Sequence, residues 1–358
     1  MRALVLVGGK GTRLRPLTYH APKQMLPIVE RPMIARVLEW LSHTEVTEVV
    51  LSLGYRPDAF IEAFPAGGWA GVKLSYAVEP EPLDTAGAIR FAAEQTGMID
   101  ERIIVINGDV LTGLDVDALV RLHDAHGGSA TIALTPVVEP SAYGVVPTDH
   151  DGAVIAFIEK PPLGEAPTNC INAGTYVLEP QAIASIPSGR PSSIEREVFP
   201  ALVEKRALYG FDFDAYWIDT GTPHSYIRAQ LDIIDGMRPD VKLDGTWTTD
   251  GGCIVADDAE PGGSLDAVYL GSKSRTHDGA IVERSVIGAH AVVEAGAIVR
   301  DAILLPGSRV ASGGVVSSGV VGWGAVVSGG STLTGAGMIG LNVVMSAGEH
   351  LDGSKTSE

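Results

Sequence analysis

The sequence predicts an α/β domain with a mostly parallel sheet, followed by a solenoid of short β-strands. Three observations lead there. Short β-branched runs alternate with longer stretches of helical spacing over the first two thirds of the chain, the order that a parallel sheet with crossover helices requires. Beyond about Asp240 glycine becomes dense and helical periodicity fades. In that same region single apolar residues recur every six positions, a period that fits neither a helix nor a plainly alternating strand.

The strands expected in the first domain are Leu4 to Val7, Glu48 to Leu53, Leu74 to Ala77, Ile103 to Asn107 and Thr131 to Val138. Between the first two, Met33, Val37, Leu38 and Leu41 recur at helical spacing, and Leu119 and Leu122 do so after the Asn107-Gly108-Asp109 turn. These helices are expected to pack on the sheet. In the second region Ile281, Ile287, Val293, Val299, Leu305 and Ala311 stand six residues apart; after a shift of phase, Val321, Val327, Leu333, Ile339 and Met345 resume the spacing. One six-residue step suits one face of a triangular solenoid with three faces per coil. A glycine-rich flexible tail is the alternative, and the persistence of in-phase apolar positions argues against it. The expected division is residues 1–238 and 239–352, with Gly353 to Glu358 frayed.

With 358 residues, 45% of them hydrophobic, the chain is long enough for two domains with substantial cores. Lys and Arg total 26 against 44 Asp and Glu, a net charge of −18, which argues against a broad nucleic-acid surface. A polyanionic ligand must therefore be held by a local cationic site. The two cysteines, Cys170 and Cys253, fit no metal or C-x-x-C spacing, as suits a reducing cytoplasm. The apolar stretch at the N-terminus is too short for a signal-peptide core or a membrane span. A cytoplasmic protein without a membrane anchor is expected.

The first strand breaks into Gly8-Gly9-Lys10-Gly11-Thr12-Arg13. This is neither a G-x-x-x-x-G-K-[ST] loop nor a G-x-G-x-x-G loop. Glycines there let backbone N–H groups cradle phosphate oxygens, and Arg13 with Lys23 can neutralise charge that grows during attack on phosphorus. Taken alone, the glycines could equally make a tight strand-to-helix turn. Asp109 follows an apolar strand at the sheet edge where α/β folds bind ligands, and its hard oxygens suit Mg²⁺; a helix N-cap is the alternative. Asp219 likewise ends an apolar run, where a plain turn residue is the alternative. Glu159-Lys160 joins an acceptor for sugar hydroxyls to a cation for a sugar phosphate, against the alternative of an exposed ion pair.

Gly8 to Thr18, followed by Pro22-Lys23, resembles the signature of nucleotide-sugar pyrophosphorylases. Pro82-Leu83-Asp84-Thr85-Ala86-Gly87, Asn107-Gly108-Asp109, Tyr143-Gly144-Val145-Val146, Phe157-Ile158-Glu159-Lys160-Pro161, Asn172-Ala173-Gly174-Thr175-Tyr176 and Trp217-Ile218-Asp219-Thr220-Gly221 follow in that family's order. With Ser192-Ser193-Ile194-Glu195-Arg196-Glu197-Val198-Phe199-Pro200 and the repeats, the chain is similar over almost its whole length to the mannose-1-phosphate guanylyltransferase branch. The resemblance implies a Rossmann-like nucleotidyltransferase domain followed by a left-handed β-helix of hexapeptide repeats. It implies catalytic roles for Arg13 and Lys23, and a nucleotide site of Leu6, Gly8, Gly9, Gly11, Thr12, Arg13, Lys23, Glu79, Gly87 and Asp109. A sugar-phosphate site of Gly144, Glu159, Lys160, Asn172 and Gly174, and Mg²⁺ on Asp109 and Asp219, are also implied.

The reaction so implied joins a nucleoside triphosphate, GTP in this branch, to a sugar 1-phosphate, here mannose 1-phosphate, with release of pyrophosphate. One departure bears on the base: Asp84 stands where the family commonly has glycine. The alternatives are guanylyl transfer to another hexose or to a cyclitol such as valienol 1-phosphate, and thymidylyl or uridylyl transfer to glucose 1-phosphate. A regulatory homologue that senses nucleotide sugar would lose the site cations, which are present here. Acyl transfer by the solenoid lacks a catalytic setting for His277 and His290. The solenoid is expected to serve self-association into a homo-oligomer, because stacked coils offer flat faces.

Overall fold

A computed structural model describes residues 1–247 and 252–353. Packing divides the chain into two compact units that cut across sequence order: Met1–Gly9 with Val37–Trp217, and Lys10–Arg36 with the chain from Ile218 onward.

The first unit is built on a nine-stranded sheet. Strands Lys73–Val78, Glu48–Leu53, Arg2–Leu6 and Ile103–Asn107 lie side by side and all parallel. In Glu48–Leu53, Arg2–Leu6 and Ile103–Asn107 most side chains are buried and most of those are Val, Ile or Leu, as a sheet covered on both faces demands, whereas Lys73–Val78 buries only Leu74 and Ala77. The expected strands agree with the observed ones to within two residues at each end, and the helical spacings become Met33–Ser42 and Val116–His126. Sequence reading does not reveal that the nine-residue strand Cys170–Leu178 runs antiparallel between Ile103–Asn107 and Ala130–Pro136. Leu208–Asp212 then pairs parallel with Ala130–Pro136. Leu4, Val50, Val105, Ile132, Tyr176 and Phe199 share one core, each worth about 1.5–3 kcal/mol relative to exposure.

In the second unit the helix Pro223–Ile234 is capped by Thr222 and Ser225, which exchange side-chain and backbone hydrogen bonds. Its Gln230 Oε1 accepts from Val29 N at 3.0 Å and its Tyr226 hydroxyl donates to Pro27 O at 2.7 Å. Residues 10–36 are thereby fastened to this helix. The rest is a β-helix in which strand follows strand in parallel register.

The repeat is not a strict hexapeptide. Register partners Val282, Val299, Val316 and Leu333 are 17 residues apart, and only the last coil, from Leu333 to Leu351, has 18. Val282, Leu304 and Val310 therefore hold the inward places expected of Ile281, Leu305 and Ala311. The cause is one tight corner per coil. Arg284, Asp301 and Ser318 turn that corner at φ 43°, 46° and 52°, leaving five rather than six steps between inward residues such as Val282 and Ile287. The phase shift in the apolar pattern is this missing residue. The expected frayed end lies, from Ser354, outside the described residues.

Candidate functional site

Register places Leu6 opposite both Ser52 and Asn107, and Leu53 opposite Val78. Gly8, Gly54, Glu79 and Asp109 consequently follow the carboxyl ends of neighbouring parallel strands, the edge at which such sheets bind ligands. Leu6, half-buried, accepts from Gly108 N at 2.9 Å through its carbonyl. A Cβ on Gly8 would lie 3.3 Å from Glu79 Oε1, so two residues assigned to the nucleotide are brought together. Gly54, which sequence reading missed, completes the contact: its Cβ would stand 3.1 Å from Gly8 Cα. The available signal was a glycine directly after a strand. A Cβ on Gly9 would meet nothing within 4 Å, so no protein neighbour requires that glycine.

Glu79 accepts from Leu83 N at 3.1 Å and from the Ser52 hydroxyl at 3.4 Å. Burial pushes its carboxyl above the usual carboxylate value, and those two hydrogen bonds oppose the shift. Gly87 has a packing reason of its own, since a Cβ there would meet Arg190 O at 2.8 Å. Asp84 begins the helix Asp84–Gln95 at φ 59° and accepts from Thr85 N at 2.8 Å. A glycine would fit the same backbone, and aspartate is among the few side chains that tolerate it.

A second cluster forms around Cys170–Leu178. Gly174, at φ 77°, comes so close to Asn107 that a Cβ would stand 2.9 Å from Nδ2. Its N–H donates to Asn172 Oδ1 at 2.8 Å, while Asn172 Nδ2 donates to the Tyr176 hydroxyl at 2.9 Å. Burial drives the Tyr176 hydroxyl far above its ordinary pKa, and the charges of Glu195 and Asp109 add to the shift. The fold thus joins Asn172, Gly174 and Asp109 through Asn107 and Tyr176, to which sequence reading gave no role. Glu159 lies across from Gly144 in an antiparallel pair; a Cβ on Gly144 would be 3.2 Å from Glu159 Oε2 and 2.5 Å from Phe157 Cζ. Lys160 is exposed and pairs with Glu159 at 3.1 Å.

In the second unit, Gly11 adopts φ 60°, and a Cβ there would strike Lys23 Cβ at 2.8 Å. The Thr18 hydroxyl holds the turn by donating to Gly11 O at 2.8 Å. Thr12 and Arg13 are exposed in the single turn Thr12–Leu14. Lys23 is only 4% exposed, with Nζ 3.5 Å from Asp219 Oδ1. That oxygen also accepts from Gly221 N at 2.8 Å, and a Cβ on Gly221 would lie 2.5 Å from Arg13 Nη2. Two cations and one carboxylate expected from sequence therefore meet around Gly11 and Gly221.

Three metal-ligand side chains converge elsewhere, at Asp149, His150 and Asp151, with ligand atoms within 4.8 Å of one another. Asp149 there accepts from the amides of Asp151 and Ala153, both at 3.0 Å, and pairs with Arg206. Its oxygens are committed to the turn.

Residues 2–236 match the nucleotidyl transferase family, and the chain belongs to that family, whose members generally use a divalent metal. It stands close to the nucleotide-sugar pyrophosphorylases that make GDP-mannose. A mannose-1-phosphate guanylyltransferase of Mycobacterium tuberculosis is 38% identical over 301 residues, covering 79% of this chain and 83% of that one. A mannose-1-phosphate guanyltransferase of Candida albicans is 36% identical over 313 residues, or 85% and 86% of the two chains. Among solved structures, HddC from Yersinia pseudotuberculosis superposes with a TM-score of 0.57 at 31% identity, covering 65% of this chain and 99% of its own. HddC has also been solved in complex with GMP-PN. Among the described residues no helix is long and apolar enough to cross a membrane.

Proposed function

We propose that this chain joins GTP to mannose 1-phosphate, releasing pyrophosphate and forming GDP-mannose. The observation that carries the reading is the convergence of Lys23 and Arg13 on Asp219. A buried ammonium beside a carboxylate and a guanidinium suits charge that shifts along a triphosphate. The names of the relatives support the choice of base and sugar.

The reaction is a direct displacement: a phosphate oxygen of the sugar phosphate attacks the α-phosphorus of GTP, and the bond to the bridging oxygen of pyrophosphate breaks. Aligning the two reactants contributes about 7–11 kcal/mol without a covalent intermediate. Arg13 acts on the triphosphate and its leaving group, Lys23 on the transferring phosphoryl, and Lys160 on the attacking phosphate. Glu159, Asn172 and the backbone at Gly144 and Gly174 receive the sugar, and Glu79 accepts from guanine N1–H and N2–H₂. Leu6, Gly8, Gly9, Gly11, Thr12 and Gly87 are assigned to nucleotide binding.

The resemblance gives Mg²⁺ to Asp109 and Asp219, and carboxylates supply the hard oxygen donors that this ion prefers. When bound there, the ion offsets charge on phosphate oxygens. Residues 1–238 are the proposed catalytic domain and 239–352 the repeat domain, through which the chain would form a homo-oligomer in the cytoplasm. Neither nucleic acid nor membrane takes part.

Pyrophosphate release tests this, with GTP, dTTP and UTP crossed against mannose, glucose and valienol 1-phosphates in the presence of Mg²⁺. GTP with mannose 1-phosphate should turn over fastest, and Lys23→Ala should slow it by about 10²–10³-fold. Equal turnover by that variant would remove the role given to Lys23. A faster pair elsewhere in the matrix would replace the substrates.

A further inference from the structure

We infer that the signature segment caps the β-helix, and that Gly340 in the last coil is a positioning residue for Arg13 and Lys23. The inference rests on the reading above for what those cations do, but its geometry is independent of it.

At one corner of the β-helix, which Leu305 holds in the middle coil, the other coils carry a glycine, at Gly271, Gly288, Gly322 and Gly340. In the first three the missing side chain makes room for the backbone of the following coil. A Cβ on Gly271 would meet Ala289 N at 2.9 Å, on Gly288 Leu304 O at 2.7 Å, and on Gly322 Ile339 O at 2.5 Å. Backbone hydrogen bonds join the same coils: Gly271 N to Ile287 O, Gly288 N to Leu304 O and Gly322 N to Ile339 O. At Gly340 the neighbour is instead Pro16, whose Cβ and Cγ would lie 3.3 and 3.4 Å from the added carbon. Pro16 thus occupies the place that a further coil takes at the earlier corners.

Gly340 does not have a left-handed backbone, so an L-residue fits its conformation, and a side chain there requires Pro16 to give way. Gly340 and Pro16 are both buried, and Leu14, Leu17 and Thr18 around Pro16 are buried with it. Three residues before Pro16 stands Arg13; five residues before it Gly11 packs on Lys23. A side chain pushed against Pro16 therefore displaces the turn that sets both cations, and a misplacement of about 1 Å at a reacting centre can cost a hundredfold in rate.

The test compares full-length wild type with Gly340→Val, Gly340→Ala and Val344→Ser; Val344 is exposed in the same coil. Amide hydrogen exchange over residues 10–22 should quicken in Gly340→Val and less so in Gly340→Ala, while exchange over 281–333 stays at the wild-type rate. Val344→Ser should change neither. In the GTP and mannose 1-phosphate assay, kcat should fall about tenfold for Gly340→Val, with KM for mannose 1-phosphate unchanged. Unaltered exchange over 10–22 in both glycine variants would overturn the inference, as would equal quickening over 281–333. If Gly340→Val does not fold, Gly340→Ala decides by the same two readouts. A wild type without turnover would defeat the proposed reaction while leaving the exchange result standing.

Discussion

Asp84 shows how one residue's conformation decides its cost. Its φ of 59° is a left-handed conformation, and its carboxylate recovers part of the penalty by accepting from Thr85 N. Asp84→Ala keeps the strain and loses the hydrogen bond, so urea denaturation should show a loss of about 1–2 kcal/mol. Asp84→Gly removes both strain and bond and should stay within about 1 kcal/mol of wild type. Glu79 carries a pH prediction. Its carboxyl is raised above 4.5 by burial in the folded chain. A group with a raised folded pKa contributes stability in full below its unfolded value, and that contribution is lost as pH rises through the folded value. Glu79→Gln should therefore flatten the decline of stability with pH in the window above 4.5, measured by urea denaturation at successive pH values. At this scale the sequence was legible where chemistry is local. Arg13 and Lys23 could be named because cations beside a glycine-rich loop after a strand suit phosphate, and Asp219 only because the order of motifs resembles the family's. Gly54, Asn107 and Tyr176 could not, because their part depends on what the sheet sets opposite them.

The elements were most readable where burial is two-sided. Glu48–Leu53 and Ile103–Asn107 have the limits expected of them, since each holds three or more consecutive large aliphatic residues. Cys170–Leu178 was not recognised as a strand, because Asn172, Gly174 and Thr175 break the apolar run that a buried strand normally shows. In the β-helix the six-residue pattern was visible but its loss of one residue per coil was not, since the tight corner uses Arg284, Asp301 and Ser318 where glycine would have announced a turn. Replacing such a residue with glycine relieves a left-handed backbone, so Ser318→Gly should raise stability by about 0.5–1 kcal/mol in urea. Leu333, fully buried among stacked valines, should cost about 2–5 kcal/mol on change to Ala. A smaller loss would mean that the coil collapses around the cavity.

For the molecule as a whole, packing assigns residues 10–36 to the same unit as the repeats, although 200 residues of chain and more separate them. A chain ended at residue 238 keeps every side chain assigned above to nucleotide, sugar and metal, but loses Gly340 against Pro16. Its pyrophosphate release should fall at least about a hundredfold; turnover close to that of the full chain would show that the catalytic domain needs no support from the repeats. The sequence by itself determined the class of chemistry, through motifs whose order resembles the family's, and the two kinds of architecture, through periods a few residues long. Only the tertiary structure decided which distant residues share a site, the 17-residue coil, and the segment that closes the β-helix. Those depend on close approach between backbones remote in sequence, and a glycine that makes room for a neighbour looks the same in sequence whether that neighbour is the next coil or a loop from the other end of the chain.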